Sequence, residues 1–219
     1  MNPIFSNRRE AGLLLGRKLH SLKLGRDPLA FALPRGGVPV AFEIALELEA
    51  PLDVFTVRKL GVPGHEELAM GAIATGGIRV LNEEVLKGLN ISAKMIEAVA
   101  DREEIELRRR EQAYRHESIA PDVRNRFVIL VDDGIATGST MSAAIEAVKS
   151  GGATHVLVAT PLAPRSTVSK LRKAADQVVV LCTPEPFRGV GQWYQDFDQT
   201  TDDEVREFLR IANERYVHA

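Results

Sequence analysis

The sequence contains a single cysteine, Cys182, so no disulfide can close within it, and the expectation is a protein of a reducing, cytoplasmic setting. That residue ends the apolar run "QVVVLC", which predicts a buried thiol packing as a small hydrophobe. No apolar stretch approaches the ~18 residues of a membrane span, and the opening "MNPIFSNRREAG" lacks the apolar core of a secretory signal. Neither sign of charge is in excess: 28 lysines plus arginines face 30 aspartates plus glutamates, a formal net charge of -2, which offers nucleic acid no global positive field. The five histidines lack a metal-ligand spacing such as H-x-x-x-H. No G-x-x-x-x-G-K-[ST] is present and no G-x-G-x-x-G follows a strand, which disfavours P-loop and Rossmann sites. With only 5% aromatic residues, Trp193, Tyr194 and Phe197 are expected to serve the core.

What is present alternates between strand and helix. "NRREAGLLLGRKLHSLKL" has leucines near helical spacing, with Asn7 and Glu10 as a capping box. "PLAFALP" reads as a buried strand, "VPVAFEIALELE" as a helix and "LDVFTVR" as a second strand. A hairpin is expected around Gly76 and Gly77, followed by a long, charged, solvated helix over residues 92–116 whose apolar side carries Met95, Ile96 and Val99. The pattern then resumes with "RFVILVDD", a helix ended by Gly151 and Gly152, "THVLVATPL", another helix, "QVVVLCTP", and a last helix capped by Thr201 and Glu204. The predicted fold class is α/β, a mainly parallel twisted sheet with helices on both faces. One domain is expected, with a core over residues 28–183, a helical insertion over 82–120, and a hood over 184–200 followed by the C-terminal helix.

The stretch "FVILVDDGIATGST" runs an apolar strand into two carboxylates and then a loop of small residues. In open parallel sheets ligands collect beyond the carboxyl ends of strands, where a helix N-terminus offers unpaired N–H groups to an anion. Gly138 lets backbone approach a phosphate, and the Thr137, Ser139 and Thr140 hydroxyls add neutral donors. Asp132 and Asp133 would repel that phosphate, so they need sugar hydroxyls or a cation such as Mg²⁺ carried by further phosphates. A phosphorylated sugar satisfies both requirements. The bland alternative is an Asp-Asp-Gly turn before a Thr/Ser helix cap.

These thirteen consecutive residues, "VILVDDGIATGST", resemble the phosphoribosyl-pyrophosphate signature of type I phosphoribosyltransferases. The resemblance implies that Asp132 and Asp133 hold the ribose hydroxyls and that Ala136, Thr137, Gly138, Ser139 and Thr140 hold the 5-phosphate. "LPRGGVP" is similar to the family's pyrophosphate loop, with Arg35 and the amides of Gly36 and Gly37 on the leaving group. "VRKLGVPGHEELAMGAIATGG" is similar to the strand and mobile catalytic loop that follow, placing Arg58 and Lys59 near pyrophosphate and a lid at residues 60–77, which includes His65, Glu66 and Glu67. "PEPFRGVGQWYQDF" resembles the hood over the base, most like the purine-salvage enzymes, with Phe187 stacking and the backbone at Val190 reading the base edge. Ala136 stands where the hypoxanthine-guanine branch has an aspartate, which argues against a 6-oxopurine. The layout is closest to bacterial phosphoribosyltransferase-like proteins without an assigned acceptor.

The activity so implied is Mg²⁺-dependent transfer of a phosphoribosyl group from phosphoribosyl pyrophosphate to a nucleobase-like acceptor. Asp132 and Asp133 would meet the metal directly or through water, and the family suggests a homodimer. No side chain stands out as a general base. Two alternatives stay open: a regulator that binds the ligand without turnover, and a sugar-phosphate hydrolase using the same pocket. For nucleic acid only "RRREQAYRH", residues 108–116, offers a basic face, and its interleaved glutamates favour a solvated helix.

Overall fold

The computed structural model describes residues 3–24, 27–114 and 121–217. In chain order the elements are α1 (Arg8–Ser21), β1 (Pro28–Ala32), α2 (Gly37–Leu48), β2 (Leu52–Val54), β3 (Val57–Val62), β4 (His65–Ala74), β5 (Ile78–Leu81), α3 (Glu83–Gly88), α4 (Ala93–Tyr114), β6 (Phe127–Val131), α5 (Ser139–Ser150), β7 (His155–Leu162), α6 (Arg165–Ala174), β8 (Gln177–Cys182) and α7 (Asp202–Val217). Among these residues no helix is long and apolar enough to cross a membrane.

Five strands form a parallel sheet in the order β2-β1-β6-β7-β8. Strands buried on both faces must be apolar at every position, which is why β6 reads "FVILV" without a polar break. Its alternation splits that run: Ile129 and Val131 join a core with α1, α2 and α7, while Val128 and Leu130 join one with α5 and α6. Helices therefore cover both faces, as the sequence predicts.

The strand order fixes where a ligand can sit. From β1 the chain moves outward to β2 on one side, whereas β6, β7 and β8 proceed on the other, so the topological switch lies between the carboxyl ends of β1 and β6. The outer edge at β2 is closed by α7. Its Asn213 side chain accepts from the Leu52 amide at 3.1 Å and donates to the Leu52 carbonyl at 2.8 Å, acting as a short extra rung.

The expected strand "LDVFTVR" is broken in two. The Phe55 amide donates the last rung to the Ala32 carbonyl at 2.9 Å, and Phe55 packs on Phe31 with ring centroids 5.1 Å apart. At Thr56 the chain turns away, held by paired bonds with Thr75, and enters a separate antiparallel sheet, β3-β4-β5. The hairpin expected at Gly76 and Gly77 is present, joining β4 to β5 through two positive-φ glycines.

The region expected to be a mobile loop is thus largely strand, turning at Pro63-Gly64. Its Leu60, Val62, Met70 and Ile73 bury against Val99, Ala100 and Leu107 of α4. The long charged helix is accordingly docked along one side, and of the expected apolar side Val99 is buried and Ile96 packs against this core. Met95 is exposed, Ile105 is 71% exposed, and Leu107 is buried at 2%. Burying Val99 and Leu107 contributes about 1.5–3 kcal/mol each. On α4 the basic run is paired internally, Arg108 with Glu104 and both Arg109 and Arg110 with Glu106; residues 115–116 lie outside the described residues. Cys182, expected to be buried, is only half-buried, and its partial desolvation raises the thiol pKa.

Candidate functional site

Two loops leave the sheet at the switch point, and the structure packs them against each other. After β1 the chain turns within four residues into α2: the Leu33 amide donates to the Val131 carbonyl at 2.8 Å and the Gly37 amide to the Leu33 carbonyl at 3.1 Å. This turn carries Arg35, Gly36 and Gly37, and the Pro34–Arg35 peptide is cis. After β6 come Asp132 and Asp133. A Cβ built on Gly36 would lie 2.2 Å from Asp133 Oδ2, and one on Gly37 would lie 2.7 Å from the Val131 carbonyl oxygen. Both glycines are required by contact, since any side chain would push the acidic loop away.

The acidic pair is largely desolvated. Asp132 Oδ1 accepts from the Asp133 amide at 2.9 Å, and burial together with the neighbouring Asp133 charge pushes its carboxyl well above the usual carboxylate range. Burial also raises Asp133, opposed by the guanidinium of Arg8. Arg8 Nε donates to Asp133 Oδ2 at 2.7 Å, and its Nη1 donates to the Asp198 carbonyl at 2.7 Å. The Arg8 guanidinium also lies 3.7 Å from the Phe197 ring centroid.

Beyond the aspartates the loop rises to the N-terminus of α5. Gly138, at φ 76°, is the N-cap and has no side chain to cap with, so the first helical amides are left for another acceptor. Ala136, Thr137, Ser139 and Thr140 lie around it, and all four are exposed. Thr167 of α6 fixes the loop from behind, its hydroxyl donating to the Ala136 carbonyl at 2.5 Å. The result is an exposed set of N–H and O–H donors, with the carboxylates on the side facing the β1 loop.

The hood closes the other side. A Cβ on Gly134 would come within 2.4 Å of Val190 Cγ1, so Val190 rests directly on the acidic loop. Phe187 is half-buried beside it, in a cluster with Phe5, Leu162, Trp193 and Tyr194. Trp193 and Tyr194 are core residues, as the composition suggests. Tyr194 has a second role: its hydroxyl donates to the Asp133 carbonyl at 2.6 Å, and burial raises its pKa.

Two of the sequence-selected cations, Arg35 and Arg58, are engaged by carboxylates of other helices. Arg58 donates from Nε and Nη2 to Glu103 Oε2 of α4, at 2.9 and 2.6 Å. Lys59 is exposed, and strand alternation turns it to the opposite face of β3. Arg35 Nη1 reaches Asp202 Oδ1 at 3.3 Å, and the pKa of Tyr114, beside them at the end of α4, is raised mainly by burial and next by the Asp202 charge. Arg58 is thus tethered to α4, whereas Arg35 is tethered to the first residue of α7. His65 and Glu66 are exposed at the start of β4; the side chain of Glu67 lies outside the described ones.

Arg8, Glu103 and Asp202 were not indicated by motif. Arg8 does leave a trace in the sequence: Arg8 and Arg9 open a helix whose first turn would favour acids.

The sequence matches the family described as "Phosphoribosyl transferase domain" over residues 18–187. Proteins of two Mycobacterium tuberculosis strains, named provisionally as phosphoribosyl transferases, are 45% identical over 216 residues; the match covers 99% of this chain and 48% of theirs, so the chain spans about half the length of those relatives. The crystal structure of the protein TT1426 from Thermus thermophilus is 41% identical with a TM-score of 0.85, covering 94% of this chain and 97% of that one. With the β1 and β6 loops meeting at the switch point of a parallel sheet, these matches show that the chain belongs to the phosphoribosyl transferase domain family.

Proposed function

We propose that the chain binds 5-phosphoribosyl 1-pyrophosphate at the β1/β6 crevice and transfers its phosphoribosyl group to a nucleobase-like acceptor, releasing pyrophosphate. The observation that carries this reading is the contact between the Gly36-Gly37 turn and the Asp132-Asp133 pair, beside an uncapped helix N-terminus. A ligand there meets donors suited to two phosphate groups, with acceptors suited to hydroxyls between them.

In the reaction, the bond from ribose C1 to the pyrophosphate oxygen breaks with its electron pair leaving on pyrophosphate, and an acceptor nitrogen bonds to C1. The transition state has oxocarbenium character, as in glycosyl transfer generally. The α5 amides with Thr137, Ser139 and Thr140 anchor the 5-phosphate, Asp132 and Asp133 orient the ribose, and the Gly36 and Gly37 amides with Arg35 receive the charge on the leaving group. Phe187 and Val190 cover the acceptor, and the β3–β4 hairpin with Arg58 closes over the diphosphate to exclude water.

The residues fit Mg²⁺ in one respect. Asp132 is a half-buried hard oxygen donor, whereas Asp133 Oδ2 is engaged by Arg8, and a divalent ion held by one or two carboxylates plus substrate phosphates needs no larger protein cluster. When bound with the diphosphate it supplies neutralising charge. A cytoplasmic homodimer belongs to the same proposal.

A second reading, binding without turnover, is favoured by the carboxylate partners that Arg35 and Arg58 already hold. A pyrophosphate-release assay over a panel of purine and pyrimidine bases separates the possibilities. Release that depends on one base supports transfer; release without any base indicates a hydrolase; binding with no release under any condition indicates a sensor.

A further inference from the structure

Asp133 is held from three directions, two of them by residues that the transfer mechanism does not use. Arg8, 125 positions earlier, donates Nε–H to Oδ2 at 2.7 Å; Tyr194 donates its hydroxyl to the Asp133 main-chain carbonyl at 2.6 Å; and Oδ2 lies against the bare Cα of Gly36. The Arg8 and Asp133 side chains are only 11% and 12% exposed. A charge-assisted pair shielded to that extent keeps a defined geometry, unlike a surface ion pair.

Arg8 is itself fixed. Its guanidinium lies over Phe197 with Cζ 3.7 Å from the ring centroid, and Nη1 donates to the Asp198 carbonyl. Phe197 stacks on Tyr194 with centroids 5.1 Å apart, and Tyr194 packs on Phe5 at 5.5 Å. The N-terminal segment is tied to the same strap through the Ile4 and Phe5 amides, which donate to the Trp193 carbonyl. The start of α1, the end of the hood and the acidic loop are thus joined through one guanidinium.

We propose that Arg8 is a positioning residue for phosphoribosyl binding: by engaging Oδ2 it turns the Asp133 carboxylate so that Oδ1 is presented to a ribose hydroxyl, and it sets that orientation according to where the hood strap lies. The inference rests on the proposed ligand. It adds to that proposal a residue from outside both loops, and a route by which the hood's position reaches the ribose subsite. Lysine would keep the charge but not the planar contact with Phe197 or the second donor to Asp198, so only part of the effect survives Arg8→Lys.

The test is calorimetric titration of wild type, Arg8→Gln, Arg8→Lys and Phe197→Leu with phosphoribosyl pyrophosphate and, separately, with inorganic pyrophosphate, each with Mg²⁺. The expected result is a loss of roughly 10–100-fold in phosphoribosyl pyrophosphate affinity for Arg8→Gln, the range seen when a group that orients a ligating residue is removed. Arg8→Lys should fall between, Phe197→Leu should show a smaller loss, and pyrophosphate affinity should be unchanged in all three. In an Asp133→Asn background Arg8→Gln should add little, because the two act as one unit. Equal losses for both ligands would reduce Arg8 to a structural residue and overturn the proposal, as would an Arg8→Gln variant that binds like wild type. If Arg8→Gln does not fold, Arg8→Lys and Phe197→Leu carry the same comparison. Wild-type protein that ignores phosphoribosyl pyrophosphate would remove the functional reading and this role with it, an outcome distinct from failure of Arg8 alone.

Discussion

Around the β1/β6 crevice the main chain itself makes the site, whereas in the β3–β5 sheet and α4 the chemistry resides in side-chain pairs. At the crevice two bare glycines press on two aspartates, an uncapped helix N-terminus faces outward, and Thr167 and Tyr194 pin the loop through its carbonyls. In the added region Arg58 is held by Glu103 on a helix docked through a small separate core. The first region is preorganised and tolerates little change. The second can rearrange at the cost of ion pairs that are partly exposed, which is what closing over a diphosphate would demand.

This contrast can be broken or sharpened by substitution. Leu107→Ala, in the core between α4 and the hairpin, should cost about 2–5 kcal/mol of local stability. Hydrogen exchange should accelerate in residues 57–81 and 93–114 while β1, β6 and β7 stay protected; uniform acceleration would mean that the two regions unfold as one. Gly36 has an ordinary helical φ of -58°, so the effect of Gly36→Ala is steric alone: the new Cβ meets Asp133 Oδ2, at a cost of about 1–3 kcal/mol, and ligand affinity should collapse with it. Thermal denaturation and calorimetry on the same sample check both parts.

Asn213→Ala removes the side-chain rung on β2 and should lower stability by about 1–3 kcal/mol, with ligand affinity near that of wild type, as chemical denaturation and titration would show. Glu103→Gln, the mildest change, should alter stability by no more than about 1 kcal/mol, because the pair is partly exposed. By releasing Arg58 it should raise pyrophosphate affinity. A fall instead would mean that Glu103 positions Arg58 for the ligand rather than withholding it.

Much of this was legible in the sequence for a physical reason. Doubly buried parallel strands must be apolar throughout, and a turn pressed against a neighbouring loop needs bare glycine, so "PLAFALPRGG" and "FVILVDDGIATGST" announce both the strands and the candidate site between them. The boundary at Thr56 was not legible, because strand-forming residues continue without interruption from one sheet into the other. On α4 the expected Ile96 and Val99 do meet the hairpin core, but Met95 does not and Leu107 does, because which further residues are covered depends on how two elements dock. Arg8 and Asp202 escaped notice because their partners lie 125 and 167 positions away, beyond any local pattern.

The most direct test of the account is calorimetric titration with phosphoribosyl pyrophosphate and Mg²⁺ of the wild type and of the variant carrying Asp132→Asn with Asp133→Asn. The account predicts saturable one-site binding by the wild type that disappears in the double variant, with the thermal transition of the double variant still cooperative. Absence of binding by the wild type, or binding undiminished by loss of both carboxylates, would contradict it.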